Sequence, residues 1–300
     1  MKKYYLLITL LTLTVTNAFA TVFPDVDKQR HLFANNDRAT RSEAKLVHAE
    51  KMYAQTEELE LTKAESDYFA EYTTDSNDFV NDYLGDGLAE SDPLTVGDYQ
   101  TRIKKFSETL EKFPPSNSNI YRGSSSTRSS GNGKPYYNLD AENPPQVVEG
   151  DYLVTNKFTS FSSSFEEASY FSRTGAEGDI GVIFGIENSA SSAPIALYSH
   201  EDEAEALVKP GQAYKIKKIT SYDGFIDDMG HEKKMVTVEL GEEEMIPSDA
   251  NVFFMTQARP LNQEEFRTLE SRLGPENKYL MPDSLKDNIN VGLGTCAPET

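Results

Sequence analysis

The chain changes character at Pro114-Pro115. Before that pair, apolar residues recur at helical spacing. After it, short runs of β-branched and aromatic residues are punctuated by Gly, Pro and Ser. Two adjacent prolines end a helix, because neither supplies a backbone N–H and the residue ahead of a proline is pushed to extended geometry. The break predicts an α+β chain: an N-terminal α-lobe, then a mostly antiparallel β-sandwich core. Sustained strand–helix–strand alternation is missing, which argues against a doubly wound parallel sheet.

The helical half reads in four parts. Arg41 to Ala64 has helical composition without Gly or Pro, and Thr40 or Ser42 stands where a cap belongs. Its apolar positions Leu46, Val47, Met52 and Leu59 are sparse, so it reads as a solvated flanking helix. Thr62 with Glu65 fits a capping box ahead of a second helix running to Tyr72. Phe79, Val80, Tyr83 and Leu84 form a stripe that ends at Gly85 and Gly87. Gly97 to Phe113 repeats the pattern through Ile103, Phe106 and Leu110. Strand-like runs follow at Ile120–Arg122, Asp151–Phe161, Gly181–Ile186, Ala193–Ser199, Glu205–Val208, Ala213–Thr220 and Lys234–Leu240. Residues 247–300 read as a mixed tail with one helix candidate, Asn262–Leu273, and an irregular end.

Lys2 and Lys3, the apolar stretch Tyr4 to Val15 and the small-x-small site Ala18-Phe19-Ala20 occur in the order of a secretory signal peptide. This reading is favoured over a buried N-terminal helix. It predicts a secreted, extracellular chain cleaved near Ala20. The expected divisions are a signal peptide at 1–20, a helical segment at 21–60, a main domain at 61–246 and an extension at 247–300. No later run approaches the ~18 apolar residues of a membrane span. Lys+Arg number 29 against 49 Asp+Glu, a net charge of −20. Such a chain is poorly suited to a nucleic-acid backbone or an anionic membrane, both of which need clustered cations. The lone Cys296 excludes an internal disulfide and, with four scattered histidines, leaves no Cys/His zinc framework. A monomer without metal is expected.

No G-x-G-x-x-G, P-loop, G-x-S-x-G or H-E-x-x-H is present. Three local features carry chemistry instead. Arg122-Gly123 closes a short strand, where a guanidinium fork can meet phosphate; a surface arginine is the ordinary reading. Phe158-Thr159-Ser160-Phe161-Ser162-Ser163-Ser164 places hydroxyls on alternate faces; a serine-rich edge strand is its ordinary reading. Glu201-Asp202-Glu203-Ala204-Glu205 runs into a strand; a solvated acidic loop is the usual outcome. Alternation would put Glu203 and Glu205 on one face as the chain enters that strand. Paired carboxylates there can divide charge stabilisation from proton handling.

Order and spacing join these features. Arg122 precedes Ser160 by 38 residues, and Ser160 precedes Glu205 by 45. Tyr121-Arg122-Gly123, then Phe158 to Ser162 with Ala168 and Phe171 downstream, then Glu203-Ala204-Glu205 through Pro210-Gly211 to Ile216, resemble the R-S-E class of mono-ADP-ribosyltransferases. That class includes arginine-specific vertebrate enzymes and secreted bacterial toxins. Leu61-Thr62, Glu65, Tyr72-Thr73, Asn81 and Leu84 resemble its leading α-lobe, so the likeness spans roughly 55–246. Ser160-Phe161-Ser162 stands where the family has Ser-Thr-Ser, and the family serine is Ser160 or else Ser162 or Ser163. The spacing to Ala168 and Phe171 favours Ser160.

The resemblance implies NAD⁺ as co-substrate on an ADP-ribosyltransferase-type core. It implies that Arg122 grips the phosphates, Ser160 orients Glu205, and Glu205 bonds the nicotinamide-ribose 2′-OH and steadies the developing cation. Phe171 would pack near the nicotinamide, and Arg173 would be a second phosphate contact. Glu203 would take the proton from an arginine of a host protein, with Tyr198 and His200 in the loop that meets that target. The expected function is a secreted bacterial toxin with NAD⁺–protein-arginine mono-ADP-ribosyltransferase activity and some NAD⁺ hydrolysis. A chain that is mainly an NAD⁺ glycohydrolase, or a non-enzymatic secreted binding protein, is the alternative.

Overall fold

The structure is a computed structural model that describes residues 22–28, 38–87, 94–125, 134–137, 146–172, 180–199, 203–226, 230–243, 245–256 and 258–291. The expected signal peptide, Arg173 and His200 lie outside the described residues. The first helix, α1 (Arg38–Thr56), stops well short of Ala64. Thr56 turns its hydroxyl back onto the carbonyls of Met52 and Tyr53, and Leu59 N–H closes a turn onto Thr56. Thr62 is then extended (φ −64°, ψ 157°) as the cap of α2 (Lys63–Glu71), so one continuous helix is not available. The expected capping box is present: Glu65 N–H donates to Thr62 Oγ1 at 3.3 Å, and Thr62 N–H to Glu65 Oε2 at 3.0 Å. A π-type turn, Tyr72–Ser76, leads into α3 (Asn77–Asp86). A second box, Thr95 with Asp98, opens α4 (Val96–Leu110). Each such cap is worth about 1 kcal/mol.

The strands are β1 (Ile120–Ser125), β2 (Tyr152–Val154), β3 (Thr159–Ser162), β4 (Ile180–Ile186), β5 (Ser192–Pro194), β6 (Glu205–Val208), β7 (Ala213–Ile226), β8 (Glu232–Glu242), β9 (Val252–Phe254) and β10 (Arg259–Pro260). They join in the order β10-β9-β2-β7-β8-β4-β1-β3-β6-β5. Among the described residues, only β4 with β8 and β2 with β9 run parallel. Leu153, Tyr214, Ile216 and Phe253 from one half of this order share an apolar cluster with Phe161, Ala206 and Val208 from the other. Strands so far apart in a sheet meet only if it curls on itself. The fold is therefore α+β, with leading helices and one curled, mostly antiparallel sheet.

Two expected strands are broken. Asp151–Phe161 splits into β2 and β3 because Thr155 leaves the ladder for the β6–β7 turn: its N–H donates to Gln212 O (3.0 Å), and its hydroxyl to Lys209 O (2.8 Å). The break carries the chain from one half of the sheet to the other. Ala193–Ser199 keeps its pairing only to Pro194, after which Tyr198 and Ser199 N–H both donate to Ile195 O (2.8 and 3.0 Å).

Helices α2 to α4 pack Phe69, Tyr72, Ile103 and Phe106 against Val154, Phe158, Leu207 and Phe254. The tail holds more than one helix. Beyond β9 and β10 come α6 (Gln263–Leu273), capped by Asn262, and α7 (Asp283–Val291). Their Leu269, Leu273, Leu285 and Ile289 join the α-lobe cluster. The short helix α5 (Phe165–Phe171) lies against β1 at Gly123, so closely that a side-chain carbon there would overlap the Ala168 carbonyl. Val22, Phe23 and Val26 are buried against Tyr121, Phe165 and Ile183, and Tyr121 Oη donates to Val22 O at 2.8 Å. Among the described residues no helix is long and apolar enough to cross a membrane.

Candidate active site

The neighbouring strands β1, β3 and β6 carry Arg122, Ser160 and Glu205 respectively. Arg122 Nη1 donates to the Ser160 carbonyl at 2.7 Å. This contact crosses the β1–β3 seam where only Tyr121 and Ser162 pair, so the guanidinium fills a place that ladder hydrogen bonds would otherwise take. Burial pulls Arg122 below the usual arginine value, while the charge of Glu205 opposes that shift. The group stays cationic at neutral pH.

Glu205 opens β6 opposite Ser162 and is only 5 % exposed. Its Oε2 accepts from Ser199 Oγ at 3.0 Å. Tyr72, from the α-lobe, reaches into the same place. Its hydroxyl donates to Phe158 O at 3.4 Å, beside Ser160, and feels the charges of Glu205 and Arg122. Burial, reinforced by Glu205, holds Tyr72 far above the usual phenol value, so it remains a protonated donor. Asn81 Nδ2 donates to the Tyr72 oxygen at 3.2 Å.

The three candidate serines are held differently. Ser162 Oγ donates to the Glu203 carbonyl (2.6 Å) and accepts from Ser164 N–H (3.0 Å), so its hydroxyl serves the backbone. Ser163 Oγ is buried without a hydrogen-bond partner among the described residues. Ser160 is half-buried and stands beside Arg122 and Tyr72.

Glu203 and Glu205 do not share a strand face as alternation suggested. Glu203 sits half-buried in a bend, the strand starts at Glu205, and Ala204 between them is left-handed (φ 49°). The cause is local: Ser162 Oγ takes the Glu203 carbonyl, and Ser163 N–H takes that of Ala204 at 3.0 Å. A left-handed alanine costs on the order of 1 kcal/mol, and the Ala204 side chain is buried in compensation. Glu203 therefore lies outside the strand, and strand alternation does not relate the two carboxylates.

Phe171 is the half-buried last residue of α5, with Tyr170 edge-on at 5.4 Å. Tyr198 faces the α-lobe. Its ring packs on Phe113 (5.5 Å) and Phe69 (6.3 Å), and its hydroxyl donates to Leu59 O at 2.9 Å. Tyr72, Asn81 and Ser199 were not singled out as site residues by sequence reasoning. Tyr72 and Asn81, nine residues apart, would stand on opposite faces of one regular helix, so periodicity does not mark the pair.

The model of the ADP-ribosyltransferase exoenzyme family matches residues 48–242. The chain belongs to the ADP-ribosyltransferase exoenzyme family. That family takes ADP-ribose from NAD⁺, and the matched span runs from α1 to the end of β8, containing the whole constellation. Among solved structures, the chain is similar to the ADP-ribosyltransferase Vis in complex with agmatine: 20 % identity, TM-score 0.55, covering 73 % of this chain and 94 % of Vis. The Vis toxin from Vibrio splendidus gives 21 % identity and a TM-score of 0.52 over 73 % and 94 % of the two chains. Plx2a, an ADP-ribosyltransferase toxin from Paenibacillus larvae, gives 19 % identity and 0.47 over 67 % and 96 %. No curated protein matches the transferase.

Proposed function

We propose that this transferase is a secreted bacterial toxin that moves ADP-ribose from NAD⁺ to an arginine of a host protein. The observation that carries this reading is the buried Glu205, gathered with Ser160, Arg122 and Tyr72, with a second carboxylate, Glu203, in the bend two residues before it. In the reaction, the bond from C1′ of the ribose to nicotinamide breaks and neutral nicotinamide leaves. The ribose gains positive charge as that bond opens. A buried carboxylate aimed at this charge lowers the barrier without having to reorganise. Glu205 does this while bonding the 2′-OH, and Ser160 orients it.

Arg122 holds the pyrophosphate with its planar fork, and Arg173 adds a second phosphate contact. Phe171 packs against the nicotinamide. The new bond forms between C1′ and a guanidinium nitrogen, whose proton passes to Glu203. Tyr198, pinned to Leu59, fixes the base of the loop that carries His200 and Glu203 to the target. Water in the acceptor's place gives NAD⁺ hydrolysis as a side reaction. The signal peptide fits this reading: cleavage near Ala20 leaves Val22 and Phe23 close to the mature N-terminus, where they pack on the sheet.

The fold neighbour Vis is solved with agmatine, a small guanidinium compound, which suits the test. The mature chain incubated with NAD⁺ should release nicotinamide, and adding agmatine should speed release and yield ADP-ribosyl-agmatine. No nicotinamide release with or without agmatine would overturn the transferase reading. Release without any ADP-ribosyl-agmatine, and with label from NAD⁺ on protein side chains other than arginine, would overturn only the arginine assignment.

A further inference from the structure

The Ser199–Glu205 contact joins the loop before β6 to the buried carboxylate. The chain after β5 turns at once: Ile195 N–H donates to the Glu205 carbonyl (3.0 Å), and the Ile195 carbonyl then accepts both Tyr198 N–H (2.8 Å) and Ser199 N–H (3.0 Å). The turn is therefore hung from Glu205 itself at one end. Its other side is pinned to the α-lobe by the Tyr198 ring between Phe69 and Phe113, and by its hydroxyl on Leu59 O. So held, the turn delivers Ser199 Oγ to Glu205 Oε2 at 3.0 Å. A carboxylate that is almost fully buried loses solvation and needs hydrogen-bond donors to remain charged in one rotamer.

We infer that Ser199 is a positioning residue that holds Glu205 in its reactive orientation, through a hydroxyl presented by the Ile195–Ser199 turn. Ser160 stands on β3 and Tyr72 in the α-lobe, so Ser199 is a further donor, brought to Glu205 by a separate segment of chain. The inference rests on the transferase reading above. Its consequence is specific: Ser199 acts on bond cleavage, which hydrolysis and transfer share. Loss of its hydroxyl should slow both reactions by the same factor.

The test compares Ser199→Ala and Ser199→Thr in the mature protein, measuring nicotinamide release from NAD⁺ with and without agmatine. Ser199→Ala should lower kcat about tenfold or more in both reactions, the range for a lost hydrogen bond to a charged group, with KM for NAD⁺ within about twofold. Ser199→Thr keeps the hydroxyl and should recover most of the activity. Removing a donor to the charged form raises a carboxyl's pKa, so the acidic limb of the kcat profile should move to higher pH in Ser199→Ala and return in Ser199→Thr. The same shift should appear in a carbon-13 titration of Glu205, which needs no turnover.

A Ser199→Ala kcat within about twofold of wild type, with Glu205 titrating unchanged, would overturn the inference and leave the transferase standing. A loss confined to transfer, with hydrolysis intact, would overturn it too, because it would place Ser199 in target recognition. An inactive wild-type chain would sink the functional reading. In that case an unmoved Glu205 titration in Ser199→Ala would also remove Ser199 as its donor.

Discussion

Glu205→Gln tests the residue on which the proposed chemistry turns. An amide of the same shape keeps the packing but cannot offset developing positive charge. Nicotinamide release should fall at least about a hundredfold with and without agmatine, while circular dichroism is unchanged. Activity within a few-fold of wild type would take Glu205 out of the reaction. Glu203→Gln should separate the two acceptors, suppressing transfer to agmatine far more than hydrolysis, because the proposed role of its carboxylate is on the guanidinium; equal loss of both would tie it to bond cleavage. The gathering of Arg122, Ser160 and Glu205 on neighbouring strands was legible in the sequence because each belongs to a short motif, and the motifs stand in a fixed order. Tyr72 and Ser199 were not. Tyr72 meets Phe158 O, 86 residues away, across a helix–sheet interface, and Ser199 reaches Glu205 only after a turn that alternation does not foresee.

At the scale of elements, the approach of α5 to β1 sets where Arg122 stands. A Cβ on Gly123 would overlap the Ala168 carbonyl and crowd Ser172 N, both backbone groups that no rotamer change can move. Gly123→Ala should therefore push α5 off the strand, costing several kcal/mol. It should weaken NAD⁺ binding measured by calorimetry along with the melting temperature. Binding and melting both at wild-type values would show that the helix yields freely. The helices α2 to α4 were legible because their caps and apolar stripes are local properties. The strands were legible as apolar runs but not in their ends. Asp151–Phe161 has no Gly or Pro to break it, and the claim of the β6–β7 turn on Thr155 divides it, with Asn156 in the bend that follows accepting from Thr256 Oγ1. The helix Asp283–Val291 escaped notice because its polar sequence is organised by the α-lobe cluster that Leu285 and Ile289 enter, not by its own pattern.

At the scale of the whole molecule, the segment just after the expected cleavage site is part of the core. Val22, Phe23 and Val26 are each less than a tenth exposed, and Phe23 lies so close over β4 that a Cβ at Gly185 would strike its ring. Tyr121, one residue before Arg122, presents its hydroxyl to Val22 O and its ring to Phe23 at 6.1 Å. Residues 22–26 thus brace the strand that carries Arg122, the arginine proposed to grip the pyrophosphate. Removing a buried phenyl group costs about 3–5 kcal/mol, because the cavity left behind closes only in part. In a chain of this size Phe23→Ala should lower the melting temperature on the order of 10 °C. Because the brace acts on β1, the variant should also bind NAD⁺ more weakly at temperatures where it is still folded, with the loss recovered by Phe23→Leu, which refills most of the volume. Calorimetric melting and NAD⁺ titration of the two variants decide it. A Phe23→Ala protein that melts within about 2 °C of wild type and binds NAD⁺ equally would show that the N-terminal segment lies on the sheet without supporting it.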